Sequence, residues 1–96
     1  MKTLPQKLRK NGFNYTQALR GNRSCIYAQE VMPDLTYYEV FKIKVRPQRK
    51  IIINGEVLRT VEEMEKFPHD EAFGSWAWTY RNYEDAIIKF KELETS

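Results

Sequence analysis

The chain has 96 residues, 16 Lys and Arg against 13 Asp and Glu for a formal net charge of +3, and 14% aromatic residues. That length supports one core and leaves no room for a separate substrate domain, while rings that each bury about 150–250 Å² offset the small size. No apolar run approaches the roughly 20 residues of a membrane helix, Met1–Gln6 lacks the apolar centre of a secretory signal, and the single Cys25 excludes an intrachain disulfide, so a cytoplasmic protein is expected.

Thr3 and Gln6 have the spacing of a capping box, Leu4 and Leu8 lie one turn apart, and Asn11-Gly12 is a stop signal, so the chain is expected to open with a short helix. Phe13–Arg20 and Arg23–Val31 read as two strands joined by a Gly21-Asn22 turn. In that register Phe13, Tyr15, Leu19, Ile26 and Ala28 share one face, and Thr16, Arg20, Arg23, Cys25 and Tyr27 share the other. Met32-Pro33-Asp34 interrupts the pairing. A third strand over 36–46 would set Phe41, Ile43 and Val45 on one side and Tyr38, Lys42, Lys44 and Arg46 on the other.

Asn54-Gly55 is a strong turn signal that would pair Lys50–Ile53 with Glu56–Arg59. Thr60-Val61-Glu62-Glu63 also matches a capping box, so segment 56–67 has both an extended and a helical reading. Pro68–Gly74 suggests one helical turn. A strand then runs through Trp76, Trp78 and Tyr80 on one face, with Ser75, Ala77 and Thr79 on the other. Asn82 can cap a final helix whose stripe is Tyr83, Ala86, Ile87, Phe90 and Leu93. No repeat or composition break divides residues 1–96. The fold class expected is a single α+β domain, a four- to five-stranded, mainly antiparallel sheet with a short N-terminal helix and a C-terminal amphipathic helix packed on one face.

The pieces Leu4–Phe13, Tyr38–Val45 and Phe73–Trp78 with Ala86 and Phe90 resemble small uncharacterised proteins encoded by gut bacteria, their phages and conjugative elements. The resemblance covers most of the chain and implies mobile-element origin without an activity. A weaker structural likeness is to AP2-type DNA-binding domains, in which three antiparallel strands precede a helix. Asn82-Tyr83-Glu84-Asp85-Ala86 occupies the strand-to-helix turn, but the arginine- and glycine-rich strands of that family are missing.

Charge is segregated along the chain. Residues 1–29 contain Lys2, Lys7, Arg9, Lys10, Arg20 and Arg23 and no carboxylate, Lys42–Lys50 form a second basic block, and Glu62–Glu71 form an acidic one. On the expected third strand Lys42, Lys44 and Arg46 would project at intervals of about 6–7 Å, near the phosphate spacing of an extended nucleic acid, and Arg20, Arg23, Tyr27 and Tyr38 would extend that surface. The plainer reading is a solvated outer face whose lysines discourage edge pairing. Trp76, Trp78 and Tyr80 read as core rather than as a platform for bases. No nucleophile elbow, glycine-rich phosphate loop or metal-ligand spacing is present, and His69 reads as a loop residue. The expected function is a noncatalytic nucleic-acid-binding protein with no cofactor, no metal and no membrane partner, contacting phosphates with little sequence preference. The alternative is a protein-interaction or self-assembly module acting through a sheet edge or through segment 62–71.

Overall fold

The computed structural model describes residues 2–96. Nine strands and one α-helix follow in chain order: β1 (Lys7–Lys10), β2 (Phe13–Arg20), β3 (Ser24–Met32), β4 (Leu35–Lys42), β5 (Lys44–Arg46), β6 (Arg49–Ile53), β7 (Glu56–Val61), β8 (Met64–Lys66), β9 (Ala77–Tyr80) and α1 (Tyr83–Thr95). A 3-10 turn at Asp70–Ala72 precedes β9. Five strands make an antiparallel sheet in the order β1-β2-β3-β4-β9, while β5 pairs with β8 and β6 with β7 in two separate two-stranded ribbons. The molecule is long, about 51 × 32 × 22 Å.

The first element is a correction. Lys7–Lys10 is a strand, not part of an N-terminal helix, and pairs with β2 from Lys7↔Thr16 to Lys10↔Phe13. Asn11 and Gly12 both have positive φ, 53° and 82°, the geometry of a tight hairpin turn rather than a helix stop. The residues ahead of β1 are held extended by non-local bonds, Gln17 N to Gln6 O at 2.8 Å and the Tyr27 hydroxyl to Pro5 O. Those bonds outweigh the weak helical spacing of Leu4 and Leu8.

The β2–β3 pairing also departs from expectation. Arg20 lies opposite Cys25 rather than Arg23, and a bulge between Gln17 and Leu19 reverses the alternation. Tyr15 therefore shares a face with Gln29 and Tyr27, while Leu19 shares the opposite face with Ile26. Beneath α1 lie Ile26, Val40, Leu19, Tyr38, Trp78 and Tyr80, met by Ala86, Ile87, Phe90 and Leu93 of the expected helical stripe. Asn82 has the extended backbone of a cap residue but makes no side-chain cap bond. Glu84 and Asp85 place negative charge in the first turn, where the helix dipole favours it.

The second face of the sheet is closed by the chain rather than by a helix. Tyr15, Cys25, Tyr27, Phe41 and Ala77 pack there against Leu4, Ala72 and Trp76, with Phe67 inserted among the rings. Phe67 meets Tyr15, Tyr27 and Phe41 edge-on at centroid distances of 5.1, 5.2 and 5.5 Å. Full burial of side chains such as Ile26, Val40 and Phe41 contributes about 1.5–3 kcal/mol each. Trp76 is a further correction, since it does not share a face with Trp78 and Tyr80. Gly74, with φ of +88°, and bonds from the Ser75 and Trp76 amides to Ala72 O make a turn before β9, which delivers Trp76 to the second face. The two indoles lie on opposite sides of the sheet, Trp76 buried in one cluster and Trp78 half-buried against the other.

The segment with two readings is extended. β7 runs to Val61 and β8 follows at Met64–Lys66, with Asn54 and Gly55 at φ of 53° and 79° making the expected turn.

Candidate functional site

Seven residues carried the expected polyanion surface, and the fold does not bring them together. Tyr27 is fully buried, stacked on Phe41 at 5.7 Å, and its hydroxyl is bonded to Pro5 O. It is a core residue, and burial pushes its hydroxyl up to about 12. Tyr38 packs on the helix-covered face and meets the Tyr83 ring at 5.2 Å.

Arg20 is held by Glu65. Its two terminal nitrogens donate to the two Glu65 oxygens at 2.7 Å each, and Glu65 Oε1 also accepts the Leu4 amide at 2.9 Å. The Arg20 guanidinium hydrogen-bonded to it holds the Glu65 carboxyl below its usual range, against the opposing effect of burial. Glu65 lies on β8, so this pair clamps the base of the β5–β8 ribbon to the sheet.

The row Lys42, Lys44 and Arg46 does not exist as one strand face. β4 ends at Lys42 and β5 starts at Lys44, because the Lys42 amide donates to Trp76 O and the Ile43 amide to Arg23 O, both at 2.9 Å. Lys42 and Arg23 then line one shallow depression with Asn22, Ile43, Leu93 and Ser96. The Lys44 ammonium stands 5.4 Å from the centre of the Trp76 ring. Arg46 is half-buried, directs a terminal nitrogen at Met64 Sδ, and has a buried Nε without a partner among the described residues.

Arg23, Lys42 and Lys44 therefore remain accessible, at the end of the sheet from which the ribbons depart. Among the described residues the only ion pairs are Arg20–Glu65 and Lys89–Glu92. The Arg23 guanidinium donates to Ser96 O. Beyond this end Arg49, Lys50 and Arg59 stand exposed on β6 and β7. Of the acidic segment, Glu62, Glu63, Asp70 and Glu71 are exposed, whereas Glu65 is buried in its clamp.

Two polar arrangements, and the exposure of one aliphatic ribbon, have no precedent in the pattern reading. Glu94, near the end of α1, accepts the Asn22 amide at 2.9 Å, the Arg23 amide at 2.8 Å and the Ser24 hydroxyl at 2.6 Å, so it caps the β2–β3 turn. These hydrogen bonds, Ser24 first, hold its carboxyl below the usual range. Glu39 is 6% exposed on β4 and its Oε2 has no partner among the described residues. Burial pushes that carboxyl up to about 7. The β6–β7 ribbon, whose turn was expected, leaves Ile52, Ile53, Val57 and Leu58 more than half exposed. The run Ile51-Ile52-Ile53 beside Asn54-Gly55 was the available signal for it.

Burial pushes the Cys25 thiol up to about 12, which keeps it protonated at neutral pH. His69 packs edge-on to Trp76 at 6.0 Å. Among the described residues no group of three His, Cys, Asp or Glu side chains is placed to hold a metal ion, and no helix is long and apolar enough to cross a membrane. Comparison with protein-family models, curated proteins and solved structures finds no match.

Proposed function

We propose that the protein is a noncatalytic nucleic-acid-binding protein of mobile-element origin, holding a phosphate backbone at the basic end of its sheet. The observation that carries this reading is the pair of exposed cations Lys42 and Lys44 at the root of the ribbons, continued by Arg49, Lys50 and Arg59 and free of carboxylate ion pairs among the described residues, with the exposed Arg23 beside them donating to Ser96 O. Cations released from internal pairing interact with phosphates by displacing condensed counterions, a sequence-independent attraction. Such contacts position a strand and do not read bases, so little sequence preference is expected. Arg20, Arg46, Tyr27 and Tyr38 take structural roles in this reading.

Fluorescence anisotropy of labelled single- and double-stranded DNA and RNA at two salt concentrations tests it. Affinity should fall steeply with salt, and Lys42→Ala with Lys44→Ala should weaken all sequences alike and reduce the salt slope by about 2. Absence of binding at low salt removes the proposal. A second reading, assembly through a free strand edge, has its own supporting observation in the β6–β7 ribbon.

A further inference from the structure

β6 and β7 pack on each other and make no comparable contact with the remaining elements. A two-stranded hairpin alone is marginally stable in water, and this one exposes Ile52, Ile53, Val57 and Leu58 by 57, 55, 53 and 58%. Clustered aliphatic side chains of this kind mark an interaction surface.

The two outer edges of the ribbon are not equivalent. The register shifts between Ile51↔Arg59 and Ile52↔Val57, so Leu58 is an extra residue and β7 is bulged. A bulge twists an edge and blunts pairing. The outer edge of β6 is uninterrupted over Arg49–Ile53 and contains no proline. Its outward amides and carbonyls form an open template.

We infer that β6 pairs antiparallel with β6 of a second copy of this chain, about a two-fold axis through Ile52, joining two ribbons into one four-stranded sheet. This inference rests on the assembly reading and is independent of nucleic-acid binding. In this register Ile52 faces its own counterpart, Ile51 faces Ile53 of the second copy, Lys50 faces Asn54, and Arg49 faces Gly55. Isoleucine pairs across strands stabilise antiparallel sheets, whereas like charges directly opposite destabilise them. The register aligns the isoleucines and sets no cation opposite another.

Charge complementarity favours it further. Arg49 of each copy comes to the turn that carries Glu56 of the other, and Ile53 lies opposite Glu56 in the ribbon, so the carboxylate is on the face that Arg49 shares. Shifting the axis to Ile51 would put Arg49 and Lys50 against isoleucines and lose this arrangement. A nucleic-acid groove would leave most of the aliphatic surface without an apolar partner, because the cations sit on the shaft of the ribbon and four of its aliphatic residues flank the turn.

Sedimentation velocity of the full chain without nucleic acid, across a concentration series, should give a mass approaching twice the 11.5 kDa of one chain. Ile52→Asp sets two carboxylates face to face and should restore the single-chain mass, with near-ultraviolet circular dichroism unchanged because the core lies elsewhere. Register is tested independently by cysteine substitution, since the native Cys25 is buried. Under diamide, Ile52→Cys should give a covalent dimer, while Thr60→Cys on the β7 edge should stay single. A single-chain mass at every concentration overturns the inference. So does cross-linking through Thr60→Cys, or a dimer that forms only when duplex DNA is added.

Discussion

Replacing Glu39 by Gln should stabilise the protein at neutral pH and remove a pH dependence that the wild type carries. Glu39 sits on β4 between Tyr27 of β3 and Thr79 of β9, nearly closed off from water, with Oε2 unpartnered among the described residues. Burial is the main reason its carboxyl is pushed up to about 7. Lys10 of β1 opposes that shift and Asp70 of the 3-10 turn adds to it. The unfolded chain ionises this group near 4.5, so between pH 4.5 and 7 the folded state holds the proton and the unfolded state does not. Stability then falls as pH rises, by about 1.4 kcal/mol per unit and about 3 kcal/mol across the window. Above pH 7 both states are ionised and the loss is complete. Gln carries no proton to lose, so the variant should match wild type near pH 4.5 and exceed it by about 2–3 kcal/mol at pH 8. Urea denaturation followed by tryptophan fluorescence, at unit steps from pH 5 to 8, measures this above the range in which Glu65 protonates. A stability difference between the two proteins that does not change with pH would refute the reasoning.

Arg20→Ala leaves Glu65 buried with only the Leu4 amide as partner, and because Arg20 is partly exposed the expected loss is about 2–3 kcal/mol in urea at pH 7. The wild-type contribution should disappear as pH falls through the depressed Glu65 value, below the ordinary 4.5, so the gap between variant and wild type closes in acid. Gly21→Ala places a methyl group 2.5 Å from Glu94 Cδ, forcing the carboxylate off the turn amides and the Ser24 hydroxyl. A loss of about 1–2 kcal/mol is expected, and a double-mutant cycle with Glu94→Ala should show that the Gly21 substitution costs little once the carboxylate is gone.

The C-terminal helix and the two Asn-Gly turns show where local pattern suffices and where it stops. α1 keeps one apolar stripe over Tyr83–Thr95, long enough for its period to exclude a strand. Asn11-Gly12 and Asn54-Gly55 adopt the same positive-φ geometry, yet the residues before Asn11 fit a helix or a strand equally, and only their pairing with β2 decides. The face assignments failed at one bulged residue, because Phe13, Tyr15 and Leu19 are in phase along the sequence and out of phase once the register shifts after Gln17. That shift, together with the break at Ile43, dissolved the expected cationic row. Each is stabilised by partners distant in the chain: Glu94 seventy or more residues from the turn it caps, and Trp76 accepting from Lys42. In the sequence Glu65 is one member of the acidic block Glu62–Glu71 for the same reason, since its partner Arg20 is 45 residues away. The β6–β7 ribbon is the converse case. Its turn and the pairing across it follow from Lys50–Arg59, whereas the extended course of 56–61 and the bulge at Leu58 do not, and Ile52 and Ile53 stay more than half exposed with no other element packed comparably on the ribbon. On the β6–β6 pairing proposed above, part of the free energy that holds this ribbon is intermolecular, so its stability should rise with protein concentration while that of the sheet core does not.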